Sequence, residues 1–418
     1  MTVQSPRPVR IGLFGLFGVR NLGNEATLAA AVAGLRARDP SVEFVLVSSP
    51  PAAAAGLPHF PTHIEPDLLP VMHRAWPGIP SRWKAGWGGF MQRMTEPLRR
   101  RRTRRAARAF DMLLVPGTGI ADDFGQGPYD APHHLARWCG TVREQGGTVS
   151  FASIGAGPAS HPLSRRWFGA ALRAAHYRSY REPGSKAFAT EIGVDTAADP
   201  VLPDMVFSLP YPDGEALRPV AWPPRDVAVG VMSYKGWNVT GPAADAIYAA
   251  YLQKIIWLTG ELLESGLRVR LLIGNRGSDV KTVRHLREAL ATHPHAARGK
   301  LVAADIQTHD DVLREIGASD LVVASRFHNI LKSILLGRPA ISIGYARKND
   351  ELMKEMGLAA YCHAIEQFDP AEVLAQVRQM SSLPQAPIAI LEQRVTEYRA
   401  ALAAQFDRLI DLARSREG

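Results

Sequence analysis

Cysteine is nearly absent from this chain. Its two copies in 418 residues, Cys139 and Cys362, lie far apart and fit no zinc or redox spacing. The fold is therefore expected to stand without disulfides, in a reducing compartment. No apolar run approaches the roughly 20 residues that span a bilayer. The stretch Ile11 to Val19 is apolar but holds three glycines, lacks a small-residue cleavage site and runs directly into a helix-start pattern. It reads as a first strand, not a secretion signal, and a cytoplasmic protein is expected. There is no Walker A loop, no His-Glu-x-x-His and no cysteine–histidine zinc spacing. Asp-x-Asp occurs nowhere, so a metal–diphosphate clamp has no anchor. His133 and His134 stand as an isolated pair, and neither a metal site nor a cofactor is expected.

What remains is a globular composition too long for one core, which points to two domains. The formal charge of +9 is local. Arg99, Arg100, Arg101, Arg102, Arg104, Arg105 and Arg108 crowd one ten-residue stretch, and without those seven the chain carries +2.

Val9 to Gly15 reads as a buried strand, Glu25 to Arg38 as a helix and Phe44 to Ser48 as a strand, a β-α-β opening. Residues 50–97 read as irregular, rich in Pro, Gly and Trp. Strands then alternate with helices. Met112 to Val115, Thr148 to Ser153, His176 to Tyr180 and a short run before Asp199 are the strands; Leu135 to Gln145, Leu163 to Ala175 and Pro183 to Ile192 are the helices. A linker is expected over 208–226. Beyond it the strands are Val227 to Met232, Arg268 to Ile273, Leu301 to Ala303, Leu321 to Ala324 and Ala340 to Ile343. The helices are Ala246 to Ser265, Val280 to Ala291, Asp310 to Ala318, Asn329 to Leu336 and Glu392 to Arg414. The class is α/β: two Rossmann-like domains, 1–207 and 227–418, facing a cleft as in GT-B enzymes, with an irregular basic, Trp-bearing insertion over 50–108.

Ligands of open parallel sheets sit beyond the carboxyl ends of the strands, so the loops after strands hold the candidates. The first, Gly18 to Glu25, offers Asn21, Gly23, Asn24 and Glu25 at a helix start, where free N–H groups suit an anion. Its glycines do not make G-x-G-x-x-G, and the plainer reading is a turn capped by Asn24. The second is Gly117, Thr118 and Gly119, followed by Asp122 and Asp123, of which one carboxylate could hold or deprotonate an acceptor hydroxyl. The third, Ser325-Arg326-Phe327-His328, puts a cationic fork and a proton donor beside each other at the end of an apolar strand. In extended backbone Arg326 and His328 would share a side. Its plainer reading is a structural ion pair at Arg326 and a helix-start histidine. The fourth, Ser342 to Lys348, brings Tyr345, Arg347 and Lys348 as a basic loop. Arg181 is a further anion-binding candidate, with an ion pair to Glu182 as the alternative.

Together Asn21-x-Gly23-Asn24-Glu25, Gly117 to Gly119, Tyr180-Arg181-Glu182-x-x-Ser185, Ala198-Asp199-Pro200, Ser325-Arg326-x-His328, Gly337-Arg338-Pro339, Gly344-Tyr345 and Leu352-Met353-x-x-Met356-Gly357 resemble the polysaccharide pyruvyl transferase family. The resemblance covers roughly residues 10–360, and Ser-Arg-x-His is its most specific block. It implies a GT-B-like fold, phosphoenolpyruvate as donor and a pyruvate ketal on a sugar of a surface polysaccharide such as an exopolysaccharide. It also implies donor binding and catalysis at Arg326 and His328, with Arg181 as a further donor-binding arginine. The expected partners are phosphoenolpyruvate and a glycan or lipid-linked oligosaccharide.

Trp76, Trp83, Trp87 and Phe90 precede the arginine run. Aromatic residues beside clustered cations suit an anionic membrane surface over 76–108, a solvated helix face being the alternative. No nucleic-acid recognition module accompanies the run, so nucleic acid is not an expected partner. Two competing functions stay open: a GT-B glycosyltransferase using a nucleotide sugar, and a non-catalytic glycan-binding protein.

Overall fold

The computed structural model describes residues 7–48, 60, 62–64, 81–123, 127–237, 239–380 and 386–415. The chain forms two compact units. One comprises 1–19, 27–205 and 401–418, the other 20–26 and 206–400. The units interleave along the chain, so neither is one of the contiguous stretches 1–207 and 227–418. Two short segments, 20–26 and 401–418, each pack with the half of the chain to which they are not adjacent.

The first unit holds a parallel sheet of β1 (Arg10–Phe14), β2 (Glu43–Val47), β3 (Thr62–Ile64), β4 (Met112–Pro116), β5 (Thr148–Ile154) and β6 (Tyr177–Tyr180). Their order is β3-β2-β1-β4-β5-β6. β4 and β5 are buried along their whole length, as strands covered on both faces must be; β4 is apolar throughout, and β5 sets only the small polar Thr148, Ser150 and Ser153 among its apolar residues. Helices α1 (Leu22–Arg36), α2 (Ser81–Ala106), α3 (Ala131–Glu144), α4 (Pro162–Arg173) and α5 (Pro183–Glu191) connect them. Around the sheet, Trp138 of α3 packs with Phe14 and Phe110.

The second unit repeats the plan. β7 (Asp226–Gly230), β8 (Arg268–Leu272), β9 (Leu301–Val302), β10 (Leu321–Ala324), β11 (Ala340–Gly344) and β12 (Cys362–Ala364) stand in the order β12-β11-β10-β7-β8-β9, all parallel. Counted from β7, this is the order of the first sheet. Each sheet therefore reverses direction between its first and fourth strands, the place where doubly wound sheets bind ligands. The helices are α6 (Pro242–Glu264), α7 (Asp279–Ala289), α8 (Pro294–Ala297), α9 (His309–Gly317), α10 (Phe327–Leu335), α11 (Arg347–Glu355), α12 (Pro370–Met380) and α13 (Ala386–Arg414).

Several sequence expectations are corrected. Residues 81–106 are one helix and not irregular chain; Gly86, Gly88, Gly89 and Pro97 lower its propensity and hide it. No strand forms before Asp199; only Val201 makes an isolated bridge to Tyr180. The basic loop after β11 stops at Ala346, because α11 starts at Arg347 and buries Leu352 and Met353. Trp76 lies outside the described residues, as do the side chains of 81–93. Among the described residues no helix is long and apolar enough to cross a membrane.

Candidate functional site

The first loop and the Ser-Arg-x-His block, some 300 residues apart in sequence, meet in the second unit. Asn21 caps α1: its Oδ1 accepts the N–H groups of Gly23 (3.0 Å) and Asn24 (3.4 Å), so the cap is Asn21 and not Asn24. Arg20 takes a positive φ of 63° to enter the turn. The loop is then clipped to the one after β8. Leu22 N–H donates to Gly274 O (3.0 Å), Arg276 N–H donates to Arg20 O (2.9 Å), and Asn21 bridges Asn275.

These two clipped loops form the floor for Arg326 and His328. A methyl group added at Gly23 would overlap the imidazole of His328, so Gly23 lies flat against that ring. A methyl at Gly274 would come within 2.8 Å of Arg326 Cγ. The glycines are needed for this close approach and not for unusual backbone. Arg326 is extended, but α10 begins at Phe327, so the shared extended face expected for Arg326 and His328 does not form. They are brought to one place by Gly274 and Gly23 on the clipped loops.

Asp279, wholly buried at the start of α7, organises the floor. It accepts N–H groups from Gly274 (3.0 Å), Asn275 (2.8 Å) and Ser233 (3.2 Å). Arg326 gives it Nε (3.0 Å) and Nη2 (2.5 Å), and Nη2 also reaches Ser278 Oγ (3.3 Å). The structural ion pair read as the plainer alternative is thus present. It occupies one edge of the guanidinium and leaves Nη1 outside those contacts. Buried Ser325 shares a hydrogen bond with Tyr251 (2.9 Å), whose hydroxyl burial pushes up to about 12. Tyr345 lies beside Tyr234, with the Lys348 ammonium over its ring and that of Phe327. Arg347 is 91% exposed and 3.9 Å from Glu351.

Two buried charges lie beside this floor: Lys332, which the sequence reading did not single out, and Glu25, which it placed among the first-loop candidates. Lys332, one turn after His328 on α10, is 1% exposed and donates to His309 O (3.1 Å). Burial brings it down to about 7, against the pull of Asp310 and Glu25. Glu25 is also buried, and its Oε1 has no hydrogen-bond partner among the described residues. Burial raises it to about 7, opposed by Arg276 and Lys332. A lone lysine inside the apolar run Asn329 to Leu336 was the available signal for Lys332. The missed Asp279 and Gly274 had none, since their roles arise from tertiary contact.

The Glu25 carboxyl keeps its proton in the fold at pH values where an unfolded chain has lost it. Stability therefore falls as pH rises from about 4.5 to about 7 and stays lowered above that. Glu25→Gln is expected to melt like the parent at pH 4.5 and to be more stable at pH 8, by on the order of 2 kcal/mol. Equal melting at both pH values would show that Glu25 ionises without penalty.

In the first unit the second candidate loop is braced from below. Arg181 is buried, with Nε on Glu182 (2.9 Å) and Nη1 on Asp204 (3.0 Å) and Gly117 O (3.2 Å). Two carboxylates compensate its charge, so the ion-pair alternative is realised, and the guanidinium ties down the glycine loop. Gly155 is bare where that guanidinium passes. Gly117 has a φ of +23°, and Thr118 is buried. Asp123 accepts the N–H groups of Ser160 (2.8 Å) and His161 (2.9 Å) ahead of α4, a structural task. Asp122 is half-buried, and a methyl at Gly119 would lie 3.4 Å from its Oδ2.

Among solved structures, a candidate UDP-N-acetylglucosamine 2-epimerase of Listeria monocytogenes has a TM-score of 0.60 at 11% identity, over 98% of this chain and 96% of that one. S. aureus MnaA in its UDP co-structure gives 0.58 at 9%, over 96% and 95%. The UDP-GlcNAc 2-epimerase of Methanocaldococcus jannaschii gives 0.54 at 10%, over 90% and 94%. At such identities these likenesses show the fold, a GT-B-like pair of Rossmann-like units. No curated protein matches the chain. A family model for polysaccharide pyruvyl transferases, however, matches residues 21–347, running from the Asn21 cap through His328 to the first residue of α11. With well over half its length so matched, the chain belongs to the polysaccharide pyruvyl transferase family and is a transferase enzyme.

Proposed function

We propose that the chain moves a pyruvyl group from phosphoenolpyruvate to a sugar of a surface polysaccharide, or of its lipid-linked precursor, and forms a pyruvate ketal. The observation that carries this reading is the convergence of Gly23, His328, Gly274 and Arg326 in one unit, inside the segment that matches the family. His328 donates a proton to the methylene carbon of the donor, and the adjacent carbon becomes cation-like. A sugar hydroxyl adds there and releases its proton, and the bond from that carbon to the phosphate oxygen breaks. A second hydroxyl of the same sugar adds in turn and closes the ring. The two hydroxyl protons balance the new methyl hydrogen and the proton on the departing phosphate. Arg326 meets the donor anion through Nη1, while Asp279 fixes the other edge of its fork. Asp122, with Asp123 held elsewhere, orients or deprotonates the acceptor hydroxyl. The transfer is redox-neutral and takes phosphoenolpyruvate as a substrate, with no cofactor. A lipid-linked acceptor would bring the enzyme to the inner face of the cytoplasmic membrane.

The fold neighbours include a UDP co-structure, which makes a nucleotide sugar the competing donor. The test is phosphate release from phosphoenolpyruvate with and without glycan acceptors. Acceptor-dependent release supports pyruvyl transfer. Its absence, with a melting shift from UDP-sugar, would replace that reading by glycosyl transfer.

A further inference from the structure

The arginine run divides three ways in the structure. Arg99 is buried. Arg100 pairs with Glu96 (3.3 Å) and Arg104 with Glu144 (2.9 Å). Arg101, Arg102, Arg105 and Arg108 are exposed, with no carboxylate in ion-pair range among the described residues. On the same helix, Met94 is 65% and Leu98 60% exposed, large apolar side chains left in water. Positions 94, 98, 101 and 105 follow by four, three and four residues, the spacing of one helix face. Arg102 flanks that face, and Arg108 follows in the short 3-10 turn after α2. In the sequence, Trp83, Trp87 and Phe90 precede Met94 at steps of four, three and four. One repeat thus carries aromatic residues first, aliphatic residues next and unpaired cations last.

We propose that this face of α2 is a docking surface for an anionic lipid bilayer. Apolar side chains enter the acyl boundary, and the arginines lie at lipid phosphates. The combination selects this occupant. A polyanion such as nucleic acid would use the arginines but gain nothing from Met94 and Leu98. The surface is independent of the donor chemistry, so its test reads binding and not turnover.

The full chain is sedimented with phosphatidylcholine vesicles, with and without about one-third phosphatidylserine. Binding only to the anionic vesicles is expected. Arg101→Gln with Arg105→Gln and Arg108→Gln should lower the partition coefficient about 100-fold, at about fivefold per arginine. Met94→Ser with Leu98→Ser should lower it at unchanged charge. All five side chains are exposed, so both variants should melt like the parent. Three results would overturn the proposal: no sedimentation of the parent, equal binding to uncharged vesicles, or binding that ignores Met94 and Leu98. A fourth is a vesicle-free self-association that the triple variant abolishes, which would make the face a contact between copies of the chain.

Discussion

His328→Ala is expected to cut acceptor-dependent phosphate release at saturating phosphoenolpyruvate by about 100-fold or more, the usual loss when a positioned proton donor is removed. The loss should fall on kcat, since the imidazole acts as the methylene carbon takes up its proton. Gly23→Ala is the companion test, because it leaves the histidine in place and moves its ring. The added methyl overlaps the imidazole, yet the backbone at Gly23 is ordinary helix, where alanine is favoured over glycine by about 1 kcal/mol. A folded Gly23→Ala enzyme should therefore lose turnover to within about tenfold of His328→Ala. Parent-like turnover in His328→Ala would remove the acid assignment. Parent-like turnover in Gly23→Ala alone would show that the ring reaches its working position without that floor.

Arg326→Ala should strongly destabilise the second unit. It strands the Asp279 carboxylate, which is wholly buried, and breaking one side of such a pair costs about 3–5 kcal/mol. The donors from Gly274, Asn275 and Ser233 put the expectation near the lower end. Urea midpoints measure this cost. The double variant Arg326→Met with Asp279→Asn removes both charges and should regain most of the stability. Catalysis separates the two roles of the arginine. Recovered stability with phosphate release still lost supports a hold on the donor anion through Nη1. Recovered release would confine Arg326 to its ion pair.

The alternation of strands and helices was legible because strands buried on both faces are mostly apolar, with only small polar residues between, as β4, β5, β10 and β11 are. α2 was hidden by its glycines and proline. α11 was hidden because its buried residues are few among charges. The residue types at the site could be read, since Gly23, Arg326 and His328 stand at the starts of helices that follow strands. Their grouping could not. That Asn21 to Glu25 packs with the second unit depends on hydrogen bonds to Gly274 and Arg276, which no local pattern encodes. The same holds for Glu25, which resembles any acidic residue in a first helical turn until tertiary packing closes over it.

The final helix α13 has a consequence for how the chain is made. Its last stretch belongs to the first unit, where Gln405 bonds Tyr177, Ser179 and Ser153, Phe406 fills the gap at Gly34, and Arg414 pairs with Asp39. These contacts tie α13 to α1, β5 and β6, yet they come from residues translated some 200 positions after β6. During synthesis the unit begun first therefore waits, incomplete, until residue 414 has left the ribosome. A nascent chain arrested after residue 205 holds all six strands of that sheet but not the side chains that seal it.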